Sequence, residues 1–189
     1  MVDELKMQGR HTAQVNHWCR VVMNRATRDL VDKLNPQDLD ALEISGVAWA
    51  DFGFRSYESA RFPEFDVCSQ RLPRTFDLVI AEQVFEHIRK PAVAAQNVRA
   101  MLRDRGLFLI TTPFLIRYHP SPLDLWRWTA HGMRCFLEDE GFQVLASEQW
   151  GNQECVIANF ENWPMYDPER HSLQNEAEFP VVVWALAML

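Results

Sequence analysis

The sequence predicts an α/β fold: a three-layer sandwich around a mainly parallel sheet, abbreviated in its first half and preceded by an N-terminal helix. Three observations carry this. Phe76-Asp77-Leu78-Val79-Ile80-Ala81 is a nearly continuous apolar run, as a strand covered on both faces requires. A helical pattern opened by Pro91 follows it, and then a second such run, Leu107-Phe108-Leu109-Ile110-Thr111-Thr112. Strand, helix, strand within some 37 residues is a βαβ unit, which places the two strands parallel with a right-handed crossover.

The elements follow in order. Val15, Trp18, Val22, Ala26, Leu30 and Leu34 recur every three or four residues, one apolar stripe on a helix from about Thr12 to Leu34. Asn35-Pro36 ends it, because the residue before a proline avoids the helical region. This leading helix packs on the main body or lids a pocket. Ala41-Leu42-Glu43-Ile44-Ser45-Gly46 reads as a short strand running into a glycine. Phe54 to Glu58 and Phe65 to Cys68 are candidate strands after it. Between Pro91 and Gly106, the residues Val93, Ala94, Asn97, Val98, Met101 and Leu102 form one helix face, with Gly106 as its stop. Thr129 to Glu140 reads as a helix capped by Thr129 and stopped by Gly141, and Phe142 to Ser147 as a strand. Asn152 to Trp163 reads as a helix ended by Pro164. Val181 to Ala187, rich in β-branched residues, reads as a last buried strand. Tyr166 to Glu178 is the only long polar connection.

A chain of 189 residues is one domain on length: a leading helix over 1–37 and a core over 38–189. Net charge is −7 and no dense Lys/Arg run occurs, which argues against nucleic acid as a partner, since phosphate neutralisation supplies most of that affinity. The four cysteines, Cys19, Cys68, Cys135 and Cys155, are 49, 67 and 20 residues apart. That spacing gives no CxxC pair and no zinc pattern, and it fits reduced thiols in the cytoplasm. No metal is expected. The longest apolar run, Val181 to Leu189, is too short for a membrane helix.

Two segments carry a family resemblance. Phe76 to His87, with its Glu86-His87 pair, resembles the fourth-strand motif of class I S-adenosylmethionine-dependent methyltransferases. Met101 to Pro113 is similar to the helix-turn-fifth-strand segment of the same family, with an Arg where a first Gly is usual. The resemblance covers about residues 38–160 and implies a Rossmann-like fold, S-adenosylmethionine as cofactor, and binding beyond the carboxyl ends of the strands. The first half departs from the pattern. Where the family has an acid and a Gly-x-Gly-x-Gly loop, this chain has Glu43-Ile44-Ser45-Gly46-Val47-Ala48-Trp49. Only 34 residues separate Glu43 from Asp77, too few for two full crossovers of at least about 10–12 residues each with their strands. One or both helices of that half are therefore missing or reduced to a turn.

The resemblance implies cofactor contacts at Glu43, Ser45, Gly46, Glu82 and Gln83. It places Glu58 as the acid for the ribose hydroxyls, or else as an ordinary paired acid. Asp66, eleven residues before Asp77, falls where an adenine-contacting acid is found, or else is an ordinary paired acid, and Cys68 beside it is a further candidate cofactor contact. His87 either faces the pocket or bonds to backbone. After the fifth strand, Pro113 to Thr129 resembles a Pro-Phe…His-x-x-Pro-x-Asp-x-x-Arg-Trp-Thr stretch of small-molecule methyltransferases. His119 is the candidate catalytic base, since its ordinary pKa lies near neutrality. Asp124 and Arg127 can pair on one helical turn, either clamping the loop or serving substrate. Tyr118, Trp126, Arg127 and Trp128 are candidates to wall a substrate. The function expected is methyl transfer to the oxygen or nitrogen of a small molecule, in a chain that permits a homodimer. A methyltransferase-like scaffold without catalysis is the alternative. A nucleotide-dependent oxidoreductase lacks its glycine fingerprint here.

Overall fold

A computed structural model describes residues 17–189. Its helices are α1 (Val21–Asp32), α2 (Pro91–Ala100), α3 (Ala130–Asp139) and α4 (Gln153–Glu161). Its strands are β1 (Asp40–Ile44), β2 (Ser56–Ala60), β3 (Phe76–Glu82), β4 (Leu102–Pro113), β5 (Gln143–Trp150) and β6 (Val182–Met188). The six strands form one sheet in the order β2-β1-β3-β4-β6-β5. The first four run parallel, and β6 is antiparallel to both of its neighbours.

The apolar strands are continuous because both faces of the sheet are covered, and alternate residues take opposite sides. Val79 and Ala81 of β3, with Phe108 and Ile110 of β4, join Ala94 and Val98 of α2 and Met133 and Leu137 of α3 in one core. Leu78, Ile80 and Leu109 face the other way, toward Val31 of α1 and Trp49. That is the three-layer arrangement. The sheet, the βαβ unit and the last four elements therefore stand as the sequence predicts.

Several expectations change. Residues 12–16 of the leading helix lie outside the described residues. From Trp18 the chain takes a short 3₁₀ turn, and α1 then runs from Val21. Its deepest face is Met23, Asn24, Thr27 and Val31, one step round from the Val22, Ala26 and Leu30 stripe, whose members are half-buried. Thr27 tolerates burial because its hydroxyl donates to the Met23 carbonyl at 2.9 Å. Phe65 to Cys68 is not a strand but turn, so the sheet ends at β2. No α-helix lies between β1 and β3, which is how the short first half closes. Gly106 does not stop α2, which ends at Ala100; it sits inside β4. Arg105 beside it takes a left-handed φ of 59°, in the turn position where the family places its first glycine. The last strand has both edges paired, so it offers no free edge to a second copy.

Candidate active site

The carboxyl ends of β1 and β3, neighbours in the sheet, open into one cleft of about 630 Å³. This is the switch point where ligands bind in open parallel sheets, and the volume lies within the range of about 300–1,000 Å³ usual for small-molecule sites. Apolar Phe62, Phe65, Val67, Val84 and Ile88 line it, with polar Ser45, Asp66, Gln83 and His87 among them. Ser45 and Gln83 end their strands with left-handed φ values of 58° and 57°. Each turns the chain sharply at the cleft floor. Ser45 does so where the family has a glycine.

Of the expected cofactor residues, Ser45, Asp66, Cys68, Gln83 and His87 line this cleft. Glu43, Gly46 and Glu82 do not; they build the wall behind it. Glu43 is fully buried. Its carboxylate accepts from the Ala48 and Trp49 backbone N–H groups at 3.0 and 2.9 Å and from the Tyr57 hydroxyl at 2.6 Å. Burial pushes its pKa up against the pull of those bonds. Glu82 receives the Trp49 indole N–H at 2.8 Å and an ion pair from Arg20 at 2.5 Å. A buried tryptophan and two acids thus fill the place of a glycine loop. Glu58 lies in the middle of β2, lines a separate shallow groove and pairs with Arg74 at 3.2 Å. The end of β2 is Ala60, followed by Arg61, so no acid stands there for a ribose. Asp66 accepts from its own turn, at Cys68 N (2.9 Å) and Ser69 Oγ (3.2 Å).

The segment after β4 folds back over the cleft. It is irregular rather than helical, and Ser121, Pro122 and Leu123 supply the lining. Four bonds pin it to the 3₁₀ turn Phe85–His87 and its exit: His87 Nδ1 donates to Leu123 O, Leu125 N and Trp126 N to Glu86 O at 2.8 and 3.3 Å, and Trp126 Nε1 to Ile88 O at 2.7 Å. His87 thus both lines the cleft and bonds to backbone, the two alternatives at once. Arg127 grips Asp124 with both ends of its guanidinium, although no helical turn joins them. Asp124 also accepts from His119 N at 2.9 Å. Burial works against ionised Asp124, but Arg127 and the His119 N–H hold it low, at about 2.

Tyr118 is 71% exposed, Trp126 is half-exposed and stacks 6.0 Å from Trp128, and Trp128 packs on Phe136. None of these, nor Arg127, lines the cleft. His119 is not on its surface either. Its imidazole stands beside Glu86, with Nε2 3.9 Å from Glu86 Oε1, and the His87 Nε2 is 3.6 Å from the same oxygen. Desolvation lowers the His119 pKa, with Asp124 opposing. Glu86 is completely buried and burial pushes its pKa up to about 8. The sequence marks Glu86 only as half of a motif. Its adjacency to His119 needs the loop to fold back, which no local pattern records.

Comparison with known proteins agrees with this fold. The methyltransferase domain family matches residues 27–174. No curated protein matches the chain. Among solved structures, an S-adenosylmethionine-dependent methyltransferase from Mesorhizobium loti superposes with a TM-score of 0.57 at 15% identity, over 85% of this chain and 96% of that one. A methyltransferase from Clostridium acetobutylicum gives 0.60 at 10% identity, over 91% and 96%. The 1,6-didemethyltoxoflavin-N1-methyltransferase of Burkholderia thailandensis, bound to its substrate and S-adenosylhomocysteine, gives 0.59 at 15%, over 89% and 78%. Likeness at such identities speaks to fold; the family match carries the assignment. The chain belongs to the methyltransferase domain family, in the class I S-adenosylmethionine-dependent group that its fourth and fifth strands resemble.

Proposed function

We propose that this chain moves a methyl group from S-adenosylmethionine to the oxygen or nitrogen of a small molecule. The cleft at the ends of β1 and β3 carries the reading. Its apolar walls, broken by a few polar groups, suit a nucleoside, and its volume admits one with an acceptor beside it. The residues present fit the adenosine half. Asp66 and Gln83 are the polar side chains within reach of it. The methionine half is placed against Ser45, with Trp49, Glu82 and Arg20 bonded together behind it in place of a glycine loop.

S-adenosylmethionine, when bound, supplies a methyl group on a sulfonium, which departs as a neutral thioether. The protein's part is then alignment and exclusion of water. Phe62, Phe65 and Ile88 exclude water, and the loop 121–123 covers the cleft. An acceptor hydroxyl or amine must also lose a proton. His119 is the base of this reading, oriented by Asp124 and connected to the cleft through Glu86 and His87. That a methyltransferase with this fold acts on a small heterocycle supports a small acceptor. The wall of exposed aromatics at Tyr118 and Trp126 lies outside the cleft and is proposed to receive the acceptor's far end.

Calorimetry with S-adenosylhomocysteine tests the cofactor. Saturable micromolar binding to the wild-type chain, weakened at least about tenfold by Asp66→Asn, is expected. No binding at millimolar ligand would overturn the reading. His119→Ala should then lower kcat by about 10²-fold or more while leaving S-adenosylhomocysteine affinity unchanged.

A further inference from the structure

The Glu86 carboxylate is the one buried acid among the described residues whose two oxygens both lack a hydrogen-bond partner. Buried carboxylates without partners are costly, and each calls for a physical reason. Here the surroundings supply one. Leu123 O can only accept, so the bond to it places a hydrogen on His87 Nδ1 and turns Nε2 toward Glu86. His119 Nδ1 stands 3.2 Å from Asp124 Oδ2 and 3.5 Å from Arg127 Nη2. Arg127 Nη2 also donates to Asp124 Oδ2 at 2.6 Å. The Nε2 atoms of His87 and His119 stand 3.6 and 3.9 Å from Glu86 Oε1, and the three potential ligand atoms all lie within 4.8 Å of one another. Acceptor-capable atoms gathered this closely call for a positive charge between them, which a shared proton or a bound cation supplies.

We propose that Glu86, His87 and His119 bind a divalent first-row transition-metal ion of the Zn²⁺ type. Two histidines and one carboxylate on one side of an ion form an open three-ligand set that leaves positions for water or substrate. Ligands about 2.1 Å from an ion stand roughly 3.0–3.5 Å apart, so the two separations from Glu86 need to close by about 0.1–0.9 Å, and the two imidazoles, within 4.8 Å of each other, by up to about 1.8 Å. The outer contacts are of the kind metal-bound histidines make: the His87 Nδ1–H goes to a backbone carbonyl, and His119 Nδ1 stands beside the Asp124 carboxylate. The Arg127 charge is spent on Asp124, so the site is not itself cationic. Oxygen-preferring Mg²⁺ is a poor match for two imidazoles. The spacing of His and Cys along the sequence shows no ligand set. The fold makes one by pinning the loop after β4 onto the turn after β3.

The ion would sit beside His87 at the edge of the cleft. If the methyl-transfer reading holds, a hydroxyl or amine of the acceptor can take an open position and lose its proton more easily there. His119 is then a ligand, and its role as free base belongs to the metal-free chain. Ion binding itself does not depend on that reading.

The test uses the full chain stripped with a chelator, without S-adenosylmethionine. Co²⁺ and Zn²⁺ are titrated with calorimetry and visible d–d absorption as readouts. One equivalent of Co²⁺ without thiolate charge-transfer absorption is expected, displaced by Zn²⁺ and not by Mg²⁺. Glu86→Gln and His119→Ala should each weaken binding by about 100-fold or more while unfolding cooperatively. His119 is on a partly exposed loop, so its variant remains informative if Glu86→Gln does not fold. Absence of saturable binding, unchanged affinity in either folded variant, or a thiolate signature from the four free cysteines overturns the proposal. A chain that binds Co²⁺ and no S-adenosylhomocysteine would keep the ion site and sink the methyl-transfer reading. The reverse result would do the opposite.

Discussion

Gly46→Ala tests the wall behind the cleft. Glycine is required here by space, not by backbone angle, since its φ is not left-handed. A Cβ at this position would lie 2.1 Å from Glu43 Oε1 and 2.9 Å from its carboxyl carbon. The side chain cannot yield without breaking its bonds to Ala48 N, Trp49 N and the Tyr57 hydroxyl. Hydrogen bonds to a charged group contribute about 1.5–3 kcal/mol each, and one or two would be lost, so the variant should be less stable by about 2–4 kcal/mol. Urea unfolding at an unchanged m-value reads this as a lower midpoint. The mechanism also sets a coupling. Glu43→Ala removes the obstacle, so Gly46→Ala should add little on top of it, and the cycle should return an interaction of about 2 kcal/mol. A cost below about 0.5 kcal/mol for Gly46→Ala alone, the range of an ordinary surface change, would refute the reasoning. So would simple additivity with Glu43→Ala.

Arg105→Gly should stabilise the chain by about 0.5 kcal/mol, because a left-handed φ costs an exposed L-residue more than glycine's extra chain entropy; a lower melting temperature would count against this. Asn152→Ala should cost about 2 kcal/mol, more than an ordinary cap, since the side chain accepts from Cys155 N and also donates to Ser172 O and Gln174 O; Thr129→Ala, a plain cap on Gly132 N, should cost about 1 kcal/mol, and equal losses would contradict the distinction. Arg55, then Arg103 and Ser56, hold the Asp40 carboxyl well below the usual carboxylate range. A depressed folded pKa contributes stability above the unfolded value of about 4 and loses it as pH falls below that. Asp40→Asn should therefore cost about 1 kcal/mol at pH 7, discounted for solvent screening, and flatten the acid side of the stability profile; an unchanged profile below pH 4 would rule this out.

Much of the fold is legible in the chain, for a local reason. β3 and β4 are buried on both faces, so their composition alone sets them apart, and Pro91, Thr129, Gly141 and Asn152 mark helix ends by backbone chemistry that acts within one turn. The short distance from Glu43 to Asp77 foretells the missing helices, because chain length limits what a crossover can contain. Phe65 to Cys68 misleads because a short apolar run buries equally well as turn, and Gly106 because glycine also fits a strand. The face of α1 depends on which neighbour it meets, and Thr27 could satisfy its hydroxyl internally.

The site divides along the same line. Ser45, Gln83 and His87 follow strand ends within a few residues, so their place at the cleft follows from topology once the strands are known, whereas Asp66 reaches it from the turn after β2. The occupation of Glu43 by its own loop, the pairing of Glu58 away from the cleft, and the meeting of Glu86 with His119 are decided only by tertiary structure. Each joins groups through contacts that a one-residue change of loop path would abolish. Residue type and local pattern determined the sheet and where its cleft must open; the return of the loop after β4 decided which titratable groups stand together beside it.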